Sequence, residues 1–158
     1  MFFSSTVFLL LFLPVVIAVY YNPFVKKRGF RNIVLLLASL FFYGWGEPVF
    51  VFLMILSIIV NWAFGLMVDG MAKKGNKLGM KLGMILSVVY NLGLMFVFKY
   101  LTFVTKNISY LLHNDSIVVN IALPIGISFF TFQLMSYVFD VYYGTAKVQK
   151  NLLYVGLY

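Results

Sequence analysis

The chain contains no cysteine, one histidine and four acidic residues in 158. Without cysteine there can be no disulfide, no thiolate metal site and no cysteine nucleophile. With so few acids and a single imidazole there is no cluster of metal-ligand type. Nor is there a phosphate-binding glycine loop or a serine nucleophile elbow. Charge is the scarcest commodity: charged residues make up 10% of the chain and hydrophobic ones 63%. A water-soluble domain is about a quarter charged and about half apolar. The polar side chains are too few to cover a wet surface, so the chain is an integral membrane protein. Its aromatic content of 20% suits interfacial anchoring as well as lipid-facing bulk.

What charge there is has one sign, with a formal net charge of +8. That balance does not point to nucleic acid, because the basic residues form short clusters between apolar runs rather than a stripe on a soluble face. The apolar runs cover about 4–24, 32–46, 48–68, 82–98 and 117–139, against about 20 residues for one crossing. The fold class is therefore all-α, a multi-pass bundle of about five spans forming one membrane domain over 1–158. No repeat, low-complexity tract or soluble domain interrupts it. The first run has no basic residue ahead of it and no small-residue cleavage site, so it is expected to be a retained span rather than a signal peptide. Run 32–46 is short and joined to the next by Gly44-Trp45-Gly46-Glu47-Pro48, which allows either a tight hairpin or a re-entrant element.

Ten of the twelve Lys and Arg fall on one side of such a bundle, namely Lys26, Lys27, Arg28, Arg31, Lys73, Lys74, Lys77, Lys81, Lys147 and Lys150. Lys99 and Lys106 fall on the other. This bias places the ten in the cytoplasm and the N-terminus outside. Between Lys99 and Asp115, Leu101, Val104, Ile108 and Leu111 recur at helical spacing, with Thr102, Thr105, Lys106 and Ser109 on other faces. That segment is too short and polar to span and is expected to lie in the outer interface. From Val148 a further apolar run stops at Tyr158 after about three turns, so the domain is expected to be incomplete at its C-terminus.

Polar residues within apolar runs are informative, since lipid offers them no partner. Ser57, Asn61, Gly65 and Asp69 recur every fourth residue, as do Gly79, Gly83, Ser87 and Asn91. Small residues at that spacing let helices approach closely, and amides on the same face can bond across. Asn61 and Asn91 are thus either helix–helix glue or substrate contacts. The run Leu123-Pro124-Ile125-Gly126-Ile127-Ser128-Phe129-Phe130-Thr131-Phe132-Gln133 presents another such case. Pro124 lacks the N–H that the carbonyl of Asn120 needs, and Gly126 adds backbone freedom, so the helix is expected to kink or break there. Beyond the break, Gly126, Gln133, Tyr137 and Asp140 share a narrow arc, with Ser136 at its edge. Ser128 and Thr131 point elsewhere and are expected to bond back to preceding carbonyls. The arc is either packing glue or the wall of a polar passage at membrane depth. Lys99 and Tyr100 are candidates for its outer mouth, or else a snorkelling lysine beside an interfacial tyrosine. Phe42, Tyr43 and Trp45 are expected to be interfacial anchors.

Five stretches in order also carry a family resemblance: Met1-Phe2-Phe3-Ser4-Ser5 ahead of Phe8 to Pro14; Ser39-Leu40-Phe41-Phe42-Tyr43-Gly44-Trp45; Asn61-Trp62; Phe98-Lys99-Tyr100; and Leu123 to Gln133 followed by Ser136-Tyr137 and Asp140-Val141-Tyr142. The chain resembles the N-terminal part of a membrane-bound O-acyltransferase, in the branch of the alginate O-acetylation and teichoic acid D-alanyl transfer proteins. The resemblance implies a partial fold of that family and an enzyme moving an acyl group, in the alginate-type branch an acetyl group, to hydroxyls of an extracytoplasmic polysaccharide. It implies a bacterial inner-membrane location, a funnel through the membrane and no bound cofactor. The donor would be acetyl-CoA or a separate extracytoplasmic acyl-carrying protein. The family's histidines lie beyond the matched stretch. His113, flanked by Asn114 and Asp115, aligns with no family motif and takes no catalytic role, so this segment alone is expected to be inactive. The rival readings are a transporter or channel piece, in which broken helices also line sites, and a non-catalytic truncated scaffold.

Overall fold

A computed structural model of the chain describes residues 6–22, 28–112 and 118–158. Lys26, Lys27, His113, Asn114, Asp115 and the opening Met1–Ser5 lie outside the described residues. Among the described residues the regular structure is all helix, with no strand. A wide π turn, Phe8–Phe12, leads into α1 (Leu13–Tyr20). α2 (Arg28–Gly46), α3 (Phe50–Lys73) and α4 (Lys77–Met95) follow. α5 (Leu101–Leu112), α6 (Ile127–Tyr143) and the short α7 (Leu152–Val155) complete the order.

Among the described residues three helices are long and apolar enough to cross a membrane: Arg28–Gly46, Phe50–Lys73 and Lys77–Leu111. Phe8–Tyr20 is apolar but shorter. Both helices of the 32–68 region therefore have spanning length, which makes that region a hairpin rather than a re-entrant loop. Gly44 lies against Val51 across its turn. α1 and α2 also run antiparallel: Phe8 packs on Phe42 with ring centroids 4.7 Å apart, and Arg31 lies 5.7 Å over the Tyr20 ring near the opposite end.

α3 and α4 form the most extensive helix pairing among the described residues. Gly75 turns the chain with φ 67°, in the left-handed region that favours glycine, and the Asn76 side chain caps α4 by accepting from the Gly79 N–H at 2.9 Å. From that turn the register runs Met71 to Gly79, Val68 to Gly83, Asn61 to Asn91 and Phe50 to Phe98. A β-carbon on Gly83 would fall 2.9 Å from Val68 Cγ2, so the glycine permits the close approach that small residues give in membranes. α6 runs parallel to α3 and fills the groove, with Val68, Leu134, Tyr137, Val138, Val141 and Val155 forming the core.

One expectation is corrected. The stretch after Lys99 is not a separate interfacial helix: a π turn at Phe96–Tyr100 joins α4 and α5 into one 35-residue helix, Lys77–Leu111, about 52 Å long at 1.5 Å per residue. It overshoots an apolar slab of about 30 Å, and α5 projects past the start of α3. Burial on α5 favours its hydroxyls over its outermost apolar residue. Leu111 is 74% exposed, while Thr105 and Ser109 are buried. The reason lies in run 117–139, which is broken ahead of α6. Residues 118–123 are non-helical, and two of their amides are taken by α5 hydroxyls. Val119 N–H donates to Thr105 Oγ1 (3.3 Å) and Ile121 N–H to Thr102 Oγ1 (3.2 Å). An extended segment at this depth needs such partners.

Candidate functional site

The chain enters α6 through the Pro124–Gly126 turn. Proline disfavours helical backbone at Leu123 and has no amide to give to the Asn120 carbonyl. Gly126 has φ 75°, and open space surrounds the position where a β-carbon would lie, so backbone conformation rather than crowding calls for glycine. Ile127 N–H closes the turn on Pro124 O at 3.3 Å, and Phe130 N–H makes the first helical bond, to Gly126 O at 3.1 Å. The break falls where Pro124 and Gly126 place it.

Past the break the polar arc divides into two environments. Tyr137 is buried, 1% exposed, in a notch that only a glycine at 65 leaves open: a β-carbon there would sit 2.7 Å from Tyr137 Cε1. Its hydroxyl accepts from Gln149 N–H at 3.2 Å. Trp62 Nε1 donates to the Gln149 carbonyl at 2.9 Å, so the backbone N–H and C=O of one residue after α6 are both held by side chains. Asp140 accepts from the Tyr158 hydroxyl through Oδ2 and from Thr145 Oγ1 through Oδ1, the latter at 3.0 Å. Gln133 Nε2 donates to the Tyr158 carbonyl. The chain from 144 to 158 thus packs over Tyr137 and bonds Asp140, two members of the arc that the sequence left as either packing glue or passage wall.

Gln133 stands at the boundary of this packing. It lines an open recess of about 650 Å³ with Ser128, Phe129, Phe132 and Ser136. Phe129 is 77% exposed, and the Ser136 hydroxyl donates back to Gln133 O at 2.8 Å. Ser128 therefore joins the Gln133 face instead of pointing away from it. Thr131 is buried on the opposite face with its hydroxyl unpaired, so the expected bond to a preceding carbonyl is absent. The recess offers one amide, two hydroxyls and two phenyl faces, a lining that can hydrogen-bond neutral hydroxyls and pack on apolar surface but cannot take a proton at neutral pH.

Asn61 and Asn91 are fully occupied by each other and by their own helices. Asn61 Nδ2 donates to Asn91 Oδ1 (3.1 Å), and Asn91 Nδ2 donates to Asn61 Oδ1 (2.7 Å). Ser87 Oγ donates to Asn61 Oδ1 at 3.0 Å. Each amide also bonds one turn back, to Ser57 O (2.9 Å) and Ser87 O (2.8 Å). Exposure of 0% and 1% leaves neither open to a substrate. This is helix–helix glue.

Lys99 and Tyr100 occupy the π turn, outside the recess, with the Lys99 ammonium 5.5 Å from the Tyr100 ring centre. Of the expected anchors only Trp45 is well exposed, at 65%. Phe42 packs on Phe8 and Phe12, and Tyr43 meets Phe130 edge-on at 6.5 Å with its hydroxyl buried and unpaired. Sequence reasoning missed Phe129 and Phe132 as recess residues, because apolar side chains in an apolar run carry no mark. It also missed the Trp62–Gln149 tie, for which an indole N–H at membrane depth was the available signal. No group of three or more His, Asp or Glu among the described residues could hold a metal ion.

Comparison with known proteins bears on what this bundle belongs to. The chain is 36% identical over 157 residues to a probable alginate O-acetylase AlgI of Pseudomonas aeruginosa, a match covering 97% of this chain and 29% of that protein. This chain is similar to the alginate O-acetylases. The namesake from Azotobacter vinelandii is 35% identical over 159 residues, 97% of this chain and 30% of its own length. A peptidoglycan O-acetyltransferase of Helicobacter pylori is 31% identical over 152 residues, 95% of this chain and 28% of its own length. The resemblance drawn from the five motifs is borne out, and it extends along nearly the whole chain, which spans less than a third of the length of these relatives. No protein-family model matches the chain, and no solved structure matches it.

Proposed function

We propose that this chain is part of a bacterial membrane O-acyltransferase that moves an acetyl group onto hydroxyls of an extracytoplasmic polysaccharide. The observation that carries the reading is the similarity over 97% of the chain to alginate O-acetylases, joined by a peptidoglycan O-acetyltransferase at 95%. Those names share one reaction on two polymers. An acceptor hydroxyl oxygen forms an ester with the acetyl carbon, while the donor's leaving group departs with the proton.

In this reading the recess on α6 is a positioning wall. Gln133, Ser128 and Ser136 hydrogen-bond neutral groups of the acceptor or of the acyl donor, and Phe129 and Phe132 pack against their apolar faces. None of these side chains serves as general base, so the proton is taken elsewhere. The donor is acetyl-CoA or a separate extracytoplasmic acyl-carrying protein. The bundle sits in the inner membrane with its N-terminus outside, as the bias of ten among twelve basic residues argues.

The test is to express the whole acyltransferase gene of which this chain is proposed to be part, since this segment alone is expected to be inactive, in a host that makes but does not acetylate an uronate polymer, and to measure acetate released from the polymer by alkali. Acetate above the empty-vector level supports the assignment. Polymer without ester, from cells whose membranes contain the protein and whose donor supply is intact, refutes it.

A further inference from the structure

The opposite end of α6 carries a second recess, lined by none of the residues of the Gln133 recess. About 470 Å³ in volume, it lies where α3 and α6 finish side by side. Ala72, Val141 and Val148 give it apolar walls, while Asp69, Lys73 and Lys147 bring charge to it. Lys73 Nζ is 2.5 Å from Asp69 Oδ2, so that carboxylate is already neutralised one helical turn away. Lys147 makes no ion pair among the described residues.

The bundle's geometry multiplies this charge. α2 and α4 run antiparallel to α3, and α6 runs parallel to it. Arg28, Lys74, Lys77, Lys81 and Lys150 therefore gather at the same end as Lys73 and Lys147, against Asp69 and Asp140. An uncompensated cation at the lip of a recess with valine walls fits a molecule that is anionic at one end and apolar just below. A free phosphate would use the lysine and leave the valines unsatisfied.

We propose that this recess seats an anionic phospholipid, with the headgroup phosphate at Lys147 and the root of the acyl chains along Val141, Val148 and Ala72. Charge complementarity is the argument: basic side chains beside a membrane surface attract anionic lipid, each strengthening association by roughly fivefold. The site is independent of whether the chain belongs to an acyltransferase, since the lipid occupies neither the Gln133 recess nor its partners.

The test uses the whole chain purified in a mild non-ionic detergent and titrated with phosphatidylglycerol or phosphatidylcholine, counting bound lipids by native mass spectrometry. The proposal expects one phosphatidylglycerol retained in preference to phosphatidylcholine. Lys147→Gln lowers that retention roughly fivefold, while Lys106→Gln, on α5, leaves it unchanged. Equal retention of the two lipids overturns the proposal. Equal losses in the two variants also overturn it, because attraction to net charge alone would then suffice. Displacement of the lipid by millimolar inorganic phosphate overturns the lipid assignment in favour of a plain anion site. Lys147 is exposed, so its replacement leaves the fold intact, and unchanged helical circular dichroism verifies that.

Discussion

Replacing Asn61 by alanine removes one of two amides that bond reciprocally inside the α3–α4 hairpin. Three interhelical hydrogen bonds disappear: two between the amides, at 3.1 and 2.7 Å, and one from Ser87 Oγ, at 3.0 Å. Interhelical bonds in membranes average about 0.6 kcal/mol each, which makes the loss about 2 kcal/mol. Asn91 Oδ1 loses its donor, whereas Asn91 Nδ2 keeps the Ser87 carbonyl at 2.8 Å. Asn91→Ala removes only the two amide–amide bonds, since Ser87 Oγ keeps Asn61 Oδ1, and should cost about 1 kcal/mol. The double variant should then cost less than the sum of the singles by about 1 kcal/mol, the worth of the two amide–amide bonds counted in both. The assay is reversible unfolding in mixed micelles with increasing dodecyl sulfate, followed by Trp62 fluorescence in a Trp45→Phe background. Additivity of the two substitutions within about 0.5 kcal/mol would show that the amides do not bond each other in the folded bundle.

Gly65→Ala puts a methyl group 2.7 Å from Tyr137 Cε1 and should destabilise the chain by about 1–3 kcal/mol in the same assay; Tyr137→Ala on top should cost far less than it does alone. Tyr137→Phe removes the acceptor of the Gln149 N–H, held at 3.2 Å, and should cost about 1 kcal/mol while raising protease cleavage within 144–151; unchanged cleavage would mean the Trp62 bond alone suffices. Reporter fusions after Lys77 should behave as cytoplasmic and those near Asn114 as external; the opposite pattern would invert the assigned topology.

Much of this bundle is legible in the residues. The four-residue spacing of Ser57, Asn61, Gly65 and of Gly83, Ser87, Asn91 marks two faces that meet, because lipid leaves amides no other partner. Pro124 and Gly126 mark the start of α6 for local backbone reasons, which tertiary context does not override. What sequence could not supply is where an element ends when the cause is distant. The stretch 118–123 is apolar enough for a helix, and only the hydroxyls of Thr102 and Thr105, some 14 to 19 residues earlier, give its amides an extended alternative. The π turn at Phe96–Tyr100 contains no proline or glycine to announce it. The polar arc was legible as an arc. Which of its members is covered depended on the chain after Gly144 folding back onto it, so Tyr137 is buried, Asp140 is bonded by Thr145 and Tyr158 while staying partly exposed, and Gln133 keeps an open face.

The central claim is that the Gln133 face of α6 positions groups for acetyl transfer. It is tested most directly by polymer-bound acetate in cells expressing the gene with Gln133→Leu beside the unaltered gene, at matched membrane levels. Loss of one well-placed hydrogen bond predicts a fall of roughly tenfold, with insertion unchanged. Acetate equal to that from the unaltered gene would contradict the claim.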